Sequence, residues 1–527
     1  MITFDYLTLA GFHKENAEFF KGARIQKIQQ PSRRELILCL RKSNMAKKFY
    51  ININPQFYHI CFTSKINELR KNTIIPEKPP MFCMLLRKYI ENAVITEVKV
   101  PKYERIFEIY IETYNEISEK IKLCLAVELM GKYSNIILYN TLNKKIIGCA
   151  HNVGEDKSSV REMSGTLPYI YPPKQNKYDI LTFEGIPNYK KLTDTFFGFS
   201  VQLQKECQNK TLEEIKDMFR LKNISPNISY DYGEYSIFKR QGGLIKLSVS
   251  DMLDDYYSYY IEQNNIKTLK SDLLTIINSR TKKLNNSALK IQYRIEQAKD
   301  VEKFRLYGDL IMANLYNLAD FVPFVEVRDY ENNKDIRIFL DSQKTLKENA
   351  NNFYKLYTKS KKTLSHSVEN YGNIKQELEY LEQVKYSLTR AETFLEVSEI
   401  KSEIIPDKVN KINKRSTLEP IKLNIDGYDV YVGKNNRQND YIVSKLAKGD
   451  DTWLHVHNCA GSHVLLKCSN PKEATLLSCA KLAKQYSTAS QSSKVGVIYT
   501  PAKNLKKPPH APLGYVTYKG EKEILVD

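Results

Sequence analysis

The segment from residue 450 to residue 464 concentrates the side chains that are best suited to chemistry. It holds the single Trp of the chain and three of its eight His. Alternation along a strand would place His455, His457 and Cys459 on one face, and imidazole and thiolate are ligands that suit zinc. No fourth ligand at a familiar spacing is visible. A nucleophile at Ser462 or Cys459 would need an oriented base, which a sequence does not show.

Recognition of RNA is the interpretation that we favour for this segment. Aromatic planes stack on bases that are splayed out of a strand, and short polar side chains hydrogen-bond to base edges. The alternative is a strand followed by a tight turn, with aromatic residues that belong to the core. The residues predicted here to contact RNA are Asp451, Trp453, His455, Gly461, Ser462 and His463.

Two further segments are rich in polar and basic side chains. The loop predicted at residues 433–440 concentrates amide groups and two cations, which suits contacts with phosphate and sugar, and a polar surface turn is the alternative. The proline-stiffened stretch 503–510 would contact a polyanion or form a solvated loop. The candidate RNA-binding residues of these segments are Lys434, Asn435, Asn436, Arg437, Asn439, Asp440, Lys506 and Lys507. No Walker A, HExxH or GxSxG motif indicates a hydrolase.

The charge balance favours a polyanionic partner. The 527 residues include 80 Lys and Arg against 61 Asp and Glu, a net charge of +19. No amphipathic basic helix stands out in residues 421–527 and no run of the chain approaches the ~20 apolar residues of a membrane span, so we expect nucleic acid and no membrane, with a merely solubilising surface as the alternative. The first residues lack a secretory signal, and the nine Cys include no CxxC pair. We therefore expect a cytoplasmic protein with reduced thiols, no metal and no cofactor.

The hydrophobic pattern predicts a multidomain α+β protein. Residues 1–175 are predicted to be a mostly β domain, because short runs of β-branched and aromatic residues alternate with Asn, Pro, Lys and Gly, and one helix should begin after Pro80. Residues 176–245 are predicted to be short helices forming a helix-hairpin-helix segment, in which Ser200 caps a helix and Gly198 permits a tight turn. Such a hairpin exposes N–H groups that can hold a phosphate, and a plain structural hairpin is the alternative.

Residues 246–406 are predicted to form a long coiled-coil arm with a small folded tip. The two heptad rows are Ile277, Leu284, Ile291 and Ala298, and Ile374, Leu381, Leu388 and Leu395. Two such helices in one chain favour an antiparallel pair, and pairing between chains is the alternative. Pro406 would end the second helix and residues 407–420 would be a basic linker. Residues 421–527 are predicted to be an α/β domain that binds RNA.

Motifs distributed in order along nearly the whole chain match a known family. They are Gly22-Ala23-Arg24-Ile25, Met130 to Ile136, Phe197 to Ser200, Gly433 to Asn436, Asp451 to His455, Gly461 to Val464 and Lys506-Lys507-Pro508. This set resembles the NFACT family, whose C-terminal domain binds RNA. The first two domains also resemble a formamidopyrimidine-type DNA glycosylase in outline. Those enzymes use an N-terminal proline as nucleophile, whereas this chain has Ile2, so we reject that activity.

The resemblance implies a factor of ribosome quality control. Such proteins bind the large ribosomal subunit, through its rRNA and stalk-base proteins, when it retains a stalled nascent peptidyl-tRNA. They recruit charged tRNA, alanyl-tRNA in bacteria, so that an untemplated C-terminal tail marks the chain for degradation. The ribosome makes the peptide bonds, so no catalytic residue is expected and the protein would supply positioning.

The resemblance also assigns three residues to tRNA. An Asp-Arg pair of the family's first domain matches Glu104-Arg105, in which the acid is one methylene longer, and Asp5 matches another acidic position. An ordinary ion pair at a strand edge is the alternative for Glu104 and Arg105. At the level of function the alternatives are binding of the large subunit without tailing, and a surface adhesin that binds fibronectin.

Overall fold

The computed structural model describes most of the chain, namely residues 4–65, 78–114, 117–154, 161–173, 175–240, 242–297, 300–405, 419–509 and 511–527. The chain forms two compact units, residues 1–265 and 266–527. The helix end predicted at Pro406, the linker predicted from residue 407 as far as residue 418, Ala298 and His510 lie outside the described residues.

The first unit is built on a nine-stranded antiparallel sheet with the order β4-β3-β2-β1-β5-β6-β7-β8-β9. Clustered rings fill its core, and Phe20 lies 5.0 Å from Phe49 and 5.4 Å from Phe107 between centroids. The β-rich prediction is thus confirmed. The strands are β1 (Arg24–Ser32), β2 (Glu35–Lys42), β3 (Met45–Asn52), β4 (His59–Phe62), β5 (Val94–Lys99), β6 (Ile106–Tyr114), β7 (Lys120–Glu128), β8 (Asn135–Asn140) and β9 (Ile146–Cys149).

Two helices pack with this sheet. Helix α1 (Tyr6–Phe20) precedes β1. The sequence pattern did not predict this helix, because residues 1–175 were predicted to be mostly β. It begins at an N-cap, Asp5, whose side chain satisfies the N–H of Thr8. Helix α2 (Met81–Ile90) begins directly after Pro80, as predicted.

Residues 176–245 contain helices and strands. The predicted short helices are present, but a three-stranded antiparallel sheet in the order β11-β10-β12 follows them, so the purely helical prediction is wrong from Ile224 onward. Buried apolar residues such as Ile228 and Ile237 fix these strands against the core of the first unit. The elements are α3 (Leu192–Thr195), α4 (Val201–Glu206), α5 (Leu212–Phe219), β10 (Ile224–Ile228), β11 (Tyr235–Phe238) and β12 (Leu244–Ile245).

Two long helices, α6 (Val249–Gln297) and α8 (Leu346–Arg390), pair within one chain. They are antiparallel, because Lys270 Nζ donates to Thr389 O at 3.2 Å and Lys385 Nζ donates to Asn278 Oδ1 at 3.4 Å. Among the described residues no helix is both long and apolar enough to cross a membrane. The segment between α6 and α8 contains α7 (Val301–Ala313), β13 (Phe324–Asp329) and β14 (Lys334–Phe339).

The second heptad row is correct only as far as Leu388. Leu381 and Leu388 are buried in the helix pair, but Leu395 is 54% exposed. Helix α8 ends at Arg390 and a separate helix, α9 (Phe394–Ile404), starts after the Thr393 N-cap. The break changes the helical phase, so the seven-residue spacing no longer places Leu395 at the interface.

Residues 421–527 form a six-stranded antiparallel sheet in the order β15-β16-β18-β17-β19-β20. The domain combines helices and strands as predicted, but the loop predicted at residues 433–440 contains a helix, and neighbouring strands pair antiparallel. The elements are β15 (Ile421–Ile425), β16 (Tyr428–Val432), α10 (Asn436–Tyr441), β17 (Thr452–Val456), β18 (Val464–Leu466), α11 (Glu473–Gln485), β19 (Val495–Pro501) and β20 (Lys522–Val526).

The break between α8 and α9 makes a paired mutational prediction. Leu388→Ala should lower the free energy of unfolding by about 2–5 kcal/mol, because it leaves a cavity in a packed interface. Leu395→Ala occupies the equivalent heptad position but should change stability by less than about 0.5 kcal/mol, because the side chain is already exposed. Urea unfolding of the full chain measures both. Equal losses of unfolding free energy in the two variants would mean that Leu395 packs at the helix interface as Leu388 does.

Candidate functional site

The motif Lys102-Tyr103-Glu104-Arg105, which contains the predicted Glu104-Arg105 pair, lies in a turn that leads into β6. Glu104 N donates to Pro101 O at 3.0 Å, and Tyr103 adopts φ +67°, a left-handed conformation that is uncommon for an aromatic residue. The Tyr103 ring stacks on Phe197 with centroids 5.6 Å apart and 6° between the planes. Its hydroxyl donates to Asp179. Packing and hydrogen bonding together therefore hold the strained residue in place.

The turn at residues 197–200 packs directly against this motif. Gly198 has φ +77°, and a Cβ there would lie 3.0 Å from a ring carbon of Phe219 and 3.1 Å from ring carbons of Tyr103 and Tyr6. Both the backbone conformation and the space around it require glycine. The prediction that Gly198 permits a tight turn is confirmed, and the turn also supports Tyr103.

Ser200 caps α4 as predicted and also connects that helix to α1. Its Oγ accepts from Leu203 N at 3.0 Å and donates to Asp5 Oδ2 at 2.9 Å. Asp5 Oδ1 accepts from Thr8 N at 2.9 Å. Each oxygen of Asp5 therefore accepts a hydrogen bond inside the protein, which gives Asp5 a role in positioning the start of α1 and the turn at Ser200.

Arg105 rests on a buried tyrosine. Its Nη1 donates to the hydroxyl oxygen of Tyr58 at 3.2 Å, and its guanidinium carbon lies 5.9 Å from the ring centroid. Burial raises the pKa of the Tyr58 hydroxyl, the charge and hydrogen bond of Arg105 oppose the rise, and the charge of Asp5 adds to it. The charges of both Asp5 and Arg105 thus act on Tyr58, and Glu104 is the chain neighbour of Arg105.

Glu104 is half-buried beside a buried ion pair. Glu128 accepts from Arg161 Nη1 at 2.9 Å and from Arg161 Nη2 at 2.5 Å. Burial raises the pKa of the Glu104 carboxyl, Arg105 opposes the rise, Glu128 adds to it and Arg161 opposes it. Within the described part of the chain no salt bridge joins Glu104 to a cation or Arg105 to a carboxylate, which contradicts the strand-edge ion pair. A guanidinium and a carboxylate in this state can bind phosphate oxygens and ribose hydroxyls.

The amide-rich motif of the C-terminal sheet binds a row of carboxylates on α9. Lys434 Nζ lies 2.7 Å from Glu396 Oε1, and Asn435 Nδ2 donates to Glu399 Oε2 at 2.9 Å. A third contact joins the next residues along both segments. Because positions three and four apart lie on one helical face, α9 presents these acids as a single row, which we call the carboxylate row (Glu396, Glu399 and Glu403).

The third contact of the carboxylate row involves a further helix. Asn436 Nδ2 donates to Glu403 Oε1 at 2.9 Å, and Tyr380 OH of α8 donates to the same oxygen at 2.8 Å. Burial raises the pKa of the Glu403 carboxyl, and the two hydrogen bonds and the charge of Arg437 oppose the rise. Asn436 and Glu403 thus connect three helices. In this structure Lys434, Asn435 and Asn436 have protein partners, and their contact with RNA stays a prediction.

Asn435, Asn439 and Asp440 also have internal roles. Asn435 caps α10 by accepting from Gln438 N at 2.9 Å, and Asn439 Oδ1 accepts from His463 N at 3.1 Å. A Cβ at Gly433 would lie 2.2 Å from that Asn439 oxygen, so the motif needs glycine there. Asp440 pairs with Lys507. The polar residues predicted to contact phosphate therefore hold the local fold of residues 433–440 through bonds within the protein.

The aromatic cluster at residues 451–463 belongs to the core. Trp453 is 1% exposed and packs against His455, His463 and Tyr518 at centroid distances of 5.9, 5.2 and 5.7 Å. Burial lowers the pKa of both imidazoles, which are therefore neutral at pH 7. The Trp453 indole has no face open to a base in this structure. Trp453 is therefore a core residue, as in the alternative interpretation, and the prediction that it stacks on RNA bases is wrong for this structure.

The glycine turn beside this cluster is fixed by α8. Gln383 Oε1 accepts from Gly461 N at 2.7 Å, and Gln383 Nε2 donates to Gly461 O at 2.8 Å. Ser462 N donates to Tyr486 O at 2.8 Å. His457 Nδ1 lies 3.1 Å from Glu523 Oε1 instead of facing a shared metal site with Cys459. In the part of the chain that the structure describes, no group of three or more His, Cys, Asp or Glu could hold a metal ion.

Comparison with known proteins accounts for these motifs. Residues 5–418 match the NFACT N-terminal and middle domains, and residues 421–520 match the NFACT protein RNA binding domain. The chain belongs to the NFACT family. It is similar to the Rqc2 homolog RqcH of Bacillus subtilis, with 30% identity over 100% of this chain and 98% of that protein. The Rqc2 homolog RqcH of Streptococcus pneumoniae serotype 2 is 29% identical over 100% of this chain and 98% of its own length.

A solved structure covers the first half of the chain. The N-terminal part of a fibronectin/fibrinogen-binding protein from Streptococcus suis is 27% identical and aligns with 49% of this chain and 99% of its own. The TM-score is 0.43, which is too low to bear on function. The family therefore rests on the two NFACT domains and the full-length relatives.

Several residues at these sites were not predicted from the sequence. The carboxylate row had a readable signal, because Glu396, Glu399 and Glu403 repeat at helical spacing within a short segment. Tyr58 and Gln383 had no such signal, since a single Tyr or Gln far from its partner in sequence carries no periodic pattern. Only the folded chain brings them to Arg105 and Gly461.

Crowding at Gly198 gives one prediction. Gly198 and Gly22 both have positive φ, but nothing lies within 4 Å of a Cβ built at Gly22. Gly22→Ala should lower the free energy of unfolding by about 1–2 kcal/mol, the penalty of the left-handed conformation. Gly198→Ala should lower it by about 2–4 kcal/mol, because ring displacement adds to that penalty. Urea unfolding of the full-length variants decides, and matching losses would remove the steric role.

Buried polar contacts at the carboxylate row give a second prediction. Asn436→Ala and Glu403→Ala should each destabilise the protein, and the double variant should lose less than the sum, with a coupling of about 1.5–3 kcal/mol. Asn436→Ala combined with Glu377→Ala, an exposed acid of α8, should be additive. Unfolding free energies of the five variants test this. A coupling near zero for Asn436 and Glu403 would mean that the contact contributes nothing to the joint.

Proposed function

We propose that this protein is a ribosome quality control factor. It binds the large ribosomal subunit that carries a stalled peptidyl-tRNA, and it recruits charged tRNA, alanyl-tRNA in particular, for untemplated tailing of the nascent chain. The tail then marks the chain for degradation. The full-length similarity to RqcH, together with the NFACT RNA-binding domain, supports the ribosomal assignment.

The observation that carries the tRNA step is the state of Arg105 and Glu104. The guanidinium is oriented by Tyr58, lacks a carboxylate partner among the described residues and stands next to a half-buried acid. A guanidinium forms strong paired hydrogen bonds with phosphate, and a carboxylate accepts from hydroxyl or amino groups. We propose that both contact the recruited tRNA, while Asp5 positions the start of α1 behind them.

The protein acts by positioning and has no catalytic residue in this proposal. The ribosome makes each peptide bond, and holding charged tRNA beside the stalled peptidyl-tRNA replaces a bimolecular encounter with a local one, which can account for much of a barrier. We propose a cytoplasmic, ribosome-associated protein without a cofactor. Stalk-base proteins are the proposed contact of the paired helices α6 and α8.

A second candidate function keeps ribosome binding and omits tailing. It is favoured by Glu104, whose side chain is one methylene longer than the family's Asp and would place the carboxylate differently in a fixed turn. Glu104→Asp separates the two candidates, because it keeps the charge and restores the shorter reach.

The test is affinity purification of the tagged full-length protein from its own cells, with sequencing of the bound RNA. Arg105→Ala should reduce the enriched tRNA at least tenfold relative to large-subunit rRNA, because its phosphate contact is lost. Arg33→Ala removes the same charge from an exposed turn of the same sheet and should leave tRNA unchanged. Glu104→Asp should retain the tRNA.

Each outcome has a distinct meaning. Large-subunit rRNA without tRNA in the parent protein, with tRNA appearing in Glu104→Asp, would replace tailing by subunit binding alone. Retention of tRNA by Arg105→Ala would remove Arg105 from the site. Absence of ribosomal RNA from every sample would overturn the proposed function and favour the adhesin.

A further inference from the structure

The motif that resembles an RNA contact is occupied by α9, so the RNA surface of the C-terminal domain has to be sought elsewhere. The sheet has two covered faces. Helix α11 packs on one of them, against residues such as Leu454 and Val464. The other face carries Trp453 and Ile498 beneath the segments that follow α10 and β19. This second face combines an irregular backbone with a surplus of lysine.

Two connections on the second face, the one after α10 and the one between β19 and β20, are held together by backbone hydrogen bonds. Lys503 N donates to Gly449 O at 2.8 Å, which joins the loop after α10 to the loop after β19. Lys506 and Thr517 exchange both backbone bonds, at 2.7 and 2.8 Å. Thr500, opposite Trp453 in the sheet, donates through Oγ1 to Lys519 O at 3.1 Å. The loops therefore form one continuous surface, whatever their separation in sequence.

Three acidic residues on this surface form salt bridges with lysines. Asp429 pairs with Lys422 at 2.8 Å, Asp450 with Lys503 at 2.6 Å, and Asp451 with Lys467 at 2.7 Å. Four further exposed lysines make no salt bridge among the described residues. We call these four residues the lysine face: Lys445, Lys448, Lys506 and Lys519.

The segment that carries Lys445 has a rare conformation. Residues Ile442–Leu446 form a π-helical turn, closed by a bond from Ala447 N to Ile442 O at 2.8 Å. Such turns are uncommon and occur frequently at functional sites. The turn is well anchored, because Ile442 is buried against Trp453. Its exposed lysine is thus presented from a rigid position.

We propose that the lysine face is the surface by which the C-terminal domain binds RNA, through the phosphate backbone and without reading bases. This inference deepens the proposed function and rests on it. Ammonium groups on joined loops suit a chain of phosphates, whose neutralisation releases counterions. The buried amides and the buried indole then serve as the scaffold that holds these loops.

The test compares two fourfold variants of equal charge change. One carries Lys445→Gln, Lys448→Gln, Lys506→Gln and Lys519→Gln. The matched control replaces four exposed lysines that also lack a salt bridge among the described residues but lie along α11 and the strand ends next to its core: Lys472, Lys481, Lys494 and Lys522. Binding of a fluorescent single-stranded RNA of mixed sequence to the full-length proteins is measured over a range of salt.

Loss of the lysine face should raise Kd at least tenfold at physiological salt. It should also lower the slope of log Kd against log salt by about 3, from about 0.7 for each neutralised phosphate of a single strand. The control should change Kd less than twofold. Equal losses in both variants, or an unchanged slope in the first, would overturn the lysine face while ribosomal association of the parent protein stands. If the parent protein binds neither this RNA nor ribosomal RNA, the proposed function itself fails.

Discussion

Polar groups that leave water need partners inside the protein, and this requirement determines the arrangement around α9. Asn435 and Asn436 are 2% and 3% exposed, so their amide groups must be satisfied internally. The carboxylate row supplies the acceptors, and Tyr380 adds a donor to Glu403. Helix α8 ends at Arg390 and the capping box of Thr393 starts α9, which presents the row of acids to the C-terminal sheet.

Steric limits act in the same way in the first unit. Tyr103 adopts a positive φ only because Phe197, Asp179 and the bare Gly198 turn accommodate its ring. These contacts accommodate the strain of the turn. Among the described residues, neither Glu104 nor Arg105 makes a salt bridge. A folded protein normally pairs half-buried charges, so this exception is where an external partner is expected.

The net charge of +19 comes from a surplus of basic over acidic residues, so some lysines pair with carboxylates and others do not. Lys434, Lys467 and Lys503 each pair with a carboxylate of the protein. The lysine face has no such partners among the described residues. The surplus over the acids, rather than the total number of lysines, therefore identifies the surface that can attract a polyanion.

Features that depend on local pattern could be predicted from the amino-acid sequence. The β-rich first domain, the paired long helices, the Ser200 cap and the Gly198 turn followed from periodicity, breakers and capping chemistry. The helix at α1, the strands after Ile224 and the end of α8 did not, because long-range packing overrode or hid their local signals. The roles of Asn435, Asn436 and Trp453 were decided only by tertiary structure. An amide bonds equally well to a carboxylate or a phosphate, and an indole stacks equally well on a base or a histidine. What lies within hydrogen-bonding or packing distance selects between them, and that neighbour comes from a distant part of the chain.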